Sequence, residues 1–137
     1  MNGKTLVFCM FFVPSLCFAG EFDDGLTKFQ AGDYQQAFKH WNTAVGLHGK
    51  QAECQIAGLS DKSTGPGRLI LALTWYHGYC HASMEPVIAS QHFRIAGEMF
   101  LKAGDRITAQ YCLNYLLAMP SNPLIQHHAK ALHTLLK

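Results

Sequence analysis

The sequence predicts an all-α fold: about six to seven helices stacked as antiparallel hairpins in a short α-solenoid. Three observations carry this. Apolar residues recur at three-and-four spacing through most of the chain, the signature of helices that each bury one face. No sustained alternation of β-branched residues occurs, and no Asn-Gly or Asp-Gly hairpin turn. Glycine followed by aspartate punctuates the helical pattern twice in the same setting, Ala31-Gly32-Asp33 and Ala103-Gly104-Asp105.

The elements follow in order. Residues 1–19 carry Lys4, an apolar run from Leu6 to Val13, then Cys17-Phe18-Ala19 with small residues at −3 and −1 of a cut after Ala19. They read as a cleaved secretory signal, too short in its apolar part for the ~20 residues of a membrane-spanning helix. Pro14-Ser15-Leu16 before Cys17 is a poor match to a lipid-attachment signal. The remaining residues, 20–137, suit a single domain.

A first short helix covers 22–31. Gly32 suits its C-terminal left-handed position, and Asp33 caps a second helix from Tyr34 to about Leu47. There Ala37, Phe38, Trp41, Ala44 and Val45 share one face, and Gly46 and Gly49 end the helix. A third helix covers 51–59. Residues 60–67 (SDKSTGPG) read as a loop, and 68–82 as a fourth helix. Ser83 is the expected cap of a fifth, with Glu85 and Pro86 in its first turn, running to about Lys102. Gly104-Asp105 repeats the earlier break before a helix over 106–118. Pro120 to Pro123 stops that one, and Asn122 caps the last, whose expected apolar stripe is Leu124, His128, Ala131, Leu132 and Leu135.

Composition excludes several functions. The chain is 49% apolar and 15% charged, which argues against disorder, and its formal charge of +2 argues against a strongly basic nucleic-acid binder. There is no Gly-x-Ser-x-Gly elbow. Ser63 to Arg68 is glycine-rich, but Pro66 removes an amide and no lysine follows, so it is no phosphate loop. Trp75, Tyr76 and Tyr79 beside Arg68 read as core and rim rather than as a base-stacking patch.

Beyond residue 19 the cysteines are Cys54, Cys80 and Cys112. An exported protein with an odd number forms one bridge and keeps one thiol, or keeps all three as small buried residues; the sequence does not choose among the three pairs. A Cys54–Cys80 bridge would close a loop of about 27 residues and contribute roughly 3–4 kcal/mol. Eight histidines lie past residue 19. His77 and His81 share a helix face at i, i+4, with Cys80 beside them and Glu85 a turn on, a weak set of candidate metal ligands. Nothing points to a resident cofactor.

The small–aromatic–small spacing Ala37-x3-Trp41-x2-Ala44 returns as Ala89-x3-Phe93-x2-Ala96, and Ala109 takes the place of Ala37 after Gly104. Small residues let a neighbouring helix approach and the aromatic fills the space between hairpins. With Gly32, Asp33, Tyr34, Gly49, Ala52 and Gln55, the first unit resembles a tetratricopeptide repeat, and more closely its Sel-one-like subclass. Residues 73–96 resemble a degraded second unit, and 103–123 another hairpin. The resemblance implies that Gly32, Tyr34, Ala37, Trp41, Ala44, Ala89, Phe93, Ala96, Gly104 and Ala109 build the stack. It also implies a non-catalytic adaptor that holds a peptide or helix of another envelope or secreted protein in a concave groove. No nucleic acid and no membrane span is expected. The alternative is a small metal-binding protein or cell-envelope enzyme using the His77–Glu85 segment, and a third reading is a secreted factor that acts on another cell.

Overall fold

The computed structural model describes residues 20–80 and 84–137. They form seven helices, with no strand among the described residues: α1 (Glu21–Gln30), α2 (Tyr34–His48), α3 (Lys50–Ala57), α4 (Gly65–His77), α5 (Pro86–Lys102), α6 (Arg106–Ala118) and α7 (Pro123–Leu136). The all-α reading holds. The chain divides after Ala52 into two compact units, the division falling inside α3.

In the first unit α1 packs on α2. The buried face of α2 is Ala37, Phe38, Trp41 and Ala44, as its spacing predicts. Trp41 is sealed from solvent and donates Nε1–H to the Phe22 carbonyl at 3.1 Å. Its ring lies so close to α1 that a Cβ on Gly25 would stand 2.4 Å from it, which is why glycine sits inside a helix there. In the second unit α5 packs against α4, α6 and α7, and α6 against α7. Ala89, Phe93, Ala96 and Ala109 are fully buried.

The repeated Gly-Asp break has the same geometry both times. Gly32 has φ 84° and Gly104 φ 85°. The amide of Asp33 donates to the Lys28 carbonyl and that of Asp105 to the Phe100 carbonyl. Each aspartate then accepts an amide three residues on, Gln36 at 3.2 Å and Thr108 at 3.0 Å. One sequence device thus closes one helix and opens the next. Asn122 caps α7 by accepting from the Leu124 amide, with Pro123 at the first position.

Several boundaries or registers differ from expectation. Gly46 lies inside α2, which Gly49 ends. The fourth helix starts at Gly65, not 68, because the Thr64 hydroxyl accepts from the Gly67 amide at 3.0 Å and turns the Gly-Pro-Gly into a first helical turn. Gly67 tolerates nothing larger, since a Cβ would fall 2.2 Å from the Asp61 carbonyl oxygen. That helix stops at His77 because Gly78 takes the left-handed conformation. Glu85 occupies the cap position of α5, without a side-chain hydrogen bond, and Pro86 begins the helix; Ser83 lies outside the described residues. On α7 the buried residues are Ile125, Ala129, Leu132 and Leu136, while Leu124 and Leu135 are more than half exposed. The real face is rotated from the expected stripe, of which Leu132 alone is fully buried, while His128 takes a hydrogen bond from Arg94 on α5.

Candidate functional site

Of the residues proposed as metal ligands, Cys80 is already committed. Cys80 is bonded to Cys54, so its sulfur is no thiolate ligand. His77 is part-buried among rings, stacked on Tyr79 at 5.2 Å and edge-on to Tyr76 at 5.4 Å. Glu85 is exposed at the start of α5, and His81 lies outside the described residues. The cysteine pairing left open by sequence is Cys54–Cys80, with Cα atoms 5.1 Å apart. A cleft of about 460 Å³ lies beside it, lined by Ala57, Gly58, Ser60, Leu71 and Thr74 with the two cysteines. Cys112 remains a thiol, buried in α6, and burial pushes its pKa well above the ordinary range.

Another group of donors escapes sequence reasoning. Glu21 and Asp24, a turn apart on α1, bring their donor atoms within 4.8 Å of each other and of a nitrogen of His40 on α2. His40 and Glu21 pair at 3.2 Å, which satisfies both groups. The acidic side chains also answer the positive end of α1.

Rings gather on α4, α5 and α6. Tyr115 stacks on Phe93 at 5.4 Å and meets Tyr76 edge-on at 4.8 Å and Tyr111 at 5.1 Å. Burial holds two phenols protonated: that of Tyr79 is pushed up to about 12, and that of Tyr111 is raised further by burial and its contact with Tyr115. Cys112 and these phenols are therefore poor nucleophiles and poor bases near neutrality.

Two hydrogen bonds tie α5 to its neighbours. Arg68 on α4 donates to Nδ1 of His92 at 3.1 Å, and Arg94 donates to Nδ1 of His128 on α7 at 2.8 Å while also pairing with Glu98 at 2.9 Å. An imidazole accepts only when neutral. Burial, then Arg68 and Lys62, lowers the pKa of His92; burial, then Arg94 and His127, lowers that of His128 against an opposing effect of Glu98. A base whose folded pKa is depressed binds more protons unfolded, so its stability contribution is full above the ordinary value of 6.5 and is lost as pH falls below it. Thermal unfolding is expected several degrees lower at about pH 5 than at about pH 7.5. The difference should shrink in the double variant His92→Gln, His128→Gln; an unchanged difference would assign the acid sensitivity elsewhere.

An apolar surface open to solvent lies on the α6–α7 hairpin. A cleft of about 240 Å³ is lined by Leu117, Gln126, Ala129, Lys130 and His133. A second cleft of the same size adjoins it, sharing Leu117, Gln126 and Ala129 and reaching Leu116, Met119 and Ile125. Leu117 projects into solvent with 65% of its surface exposed, and Ile107 on the same helix with 82%. Position 117 lies on the fourth turn of a helix whose buried face is Ala109, Cys112, Leu113 and Leu116, so the extra leucine is surplus to the core.

Among the described residues no helix is long and apolar enough to cross a membrane. Nothing found points to catalysis. In comparisons with known proteins no family model matches this chain, and no curated protein or solved structure does either.

Proposed function

We propose that the chain is an exported, non-catalytic protein-binding module of the tetratricopeptide or Sel-like type, acting in the periplasm or outside the cell on another envelope or secreted protein. The observation that carries this reading is the pair of apolar clefts on the α6–α7 hairpin, open to solvent beside Leu117. A single exposed leucine is ordinary, but apolar surface that is contiguous, as around these two adjoining clefts, is where contact surfaces are found. The Gly-Asp turn built twice with the same hydrogen bonds supports a repeat architecture. The disulfide supports an oxidising compartment.

The test is photo-cross-linking in the native cell, with a photoreactive residue placed in turn at three exposed positions: Leu117, Lys39 and Lys62. One protein partner recovered from any of the three, in near-stoichiometric amount, supports the adaptor reading. No adduct from any position overturns it.

A further inference from the structure

The charge of the hairpin says what kind of segment its clefts would take. All 9 acidic residues of the chain lie at or before Asp105. From Arg106 to Lys137 there is no aspartate or glutamate; the charged side chains are Arg106, Lys130 and Lys137, with His127, His128 and His133 among them. Within the hairpin the charged side chains are thus all basic, whereas α1 to α5 mix both signs; the carboxylates beside it are Asp105, which caps α6, and Glu98 on α5, which pairs with Arg94.

The clefts add shape to that charge. Their walls are mainly side-chain carbon from Leu116, Leu117, Met119, Ile125 and Ala129. Two adjacent clefts of about 240 Å³ each suit two apolar side chains from one face of a helix, a turn apart. Lys130 and His133, both exposed, stand at the rim, where residues flanking such anchors would lie. Resting on the adaptor reading, we propose that the α6–α7 hairpin binds an acidic amphipathic helix of a partner protein: its leucine-type anchors fill the paired clefts around Leu117 and its flanking carboxylates meet Lys130 and His133.

A lipid surface fits these observations less well. A helix that lies on a membrane turns its most apolar face outward, but the apolar face of α7, Ile125, Ala129, Leu132 and Leu136, is buried in the fold. Three cations spread over the hairpin also fall short of the four to eight clustered ones that anionic lipid recognition uses.

The experiment is a display selection on the protein expressed from its full coding sequence and purified oxidised. The probe is a library of helical peptides of about eighteen residues, with leucine fixed at i, i+3, i+4 and i+7 and Glu, Lys or Gln at the flanking positions. Recovered binders are expected to be rich in Glu. Leu117→Asp, at an exposed position that folding does not need, should weaken them about tenfold or more. Lys130→Glu should weaken them roughly three- to tenfold and improve the binding of Lys-flanked versions. No recovered binder, recovery of Lys-flanked or unbiased sequences, or indifference to Leu117→Asp overturns the proposal. So does binding to phosphatidylglycerol vesicles that Lys130→Glu abolishes, with no peptide recovered. If the selection fails while a cross-link forms from position 39 or 62, the cleft assignment falls and the adaptor reading stands; silence in both experiments removes both.

Discussion

Replacing Trp41 with alanine is expected to destabilise the first unit by about 3–5 kcal/mol, the range for emptying a large aromatic site in a core. The indole is completely buried, and its ring centre lies 5.1 Å from that of Phe38, 5.5 Å from Phe29 and 6.0 Å from Phe22. Removing it leaves those rings facing a void and takes the Nε1–H donor from the Phe22 carbonyl. The void would not close easily, because α1 and α2 already approach through Gly25, which touches the indole. Trp41→Phe keeps most of the volume and loses the hydrogen bond, so it should cost markedly less. Urea unfolding followed by far-ultraviolet circular dichroism measures both. A cost below about 1 kcal/mol for the alanine variant would place the ring outside the core and overturn this packing.

Opening the Cys54–Cys80 bridge should lower the stability of the second unit by roughly 3–4 kcal/mol. The bridge spans a sequence separation of 26, and closing a loop of that size removes about this much conformational freedom from the unfolded chain. Cys54 is exposed, so a small reductant reaches the bridge without unfolding the protein, although Cys80 is buried. In protein lacking residues 1–19, Cys112 should not answer a thiol reagent while folded and oxidised and should count as one thiol after denaturation. The measurement is thermal unfolding of the oxidised protein, the reduced protein and the double variant Cys54→Ser, Cys80→Ser. Equal midpoints in all three would refute a stabilising role for the bridge.

Local chemistry was readable from sequence, and contact between helices was not. Asp33, Asp105 and Asn122 cap their helices through hydrogen bonds that reach only two or three residues ahead, so a short window of sequence contains the whole cause. The buried face of α2 was equally plain, because Ala37, Phe38, Trp41 and Ala44 are flanked by Lys39, His40, Asn42 and Thr43. On α7 leucine, isoleucine and alanine cover a broad arc. The centre of that arc is chosen by α5 and α6 and not by the helix itself, which is why the expected stripe was displaced. The Gly-Pro-Gly at 65–67 reads as a loop until Thr64 caps it and Asp61 folds back against Gly67. The Arg68–His92 and Arg94–His128 bonds join positions 24 and 34 apart, and the clefts beside Leu117 exist only once α6 and α7 have docked. No spacing rule announces such features. The uneven distribution of acidic residues lies in the sequence, but it acquires meaning only with the clefts in place.

The two tryptophans of the chain fall one to each unit, Trp41 on α2 and Trp75 on α4. They differ in surroundings, the first completely sealed and the second half-buried beside Tyr76. The protein thus carries a built-in pair of optical labels. With Trp75→Phe the remaining emission reports the first unit alone, and with Trp41→Phe the second alone. Overlaying the two red-shift curves against denaturant shows directly whether the units melt as one cooperative body or as two.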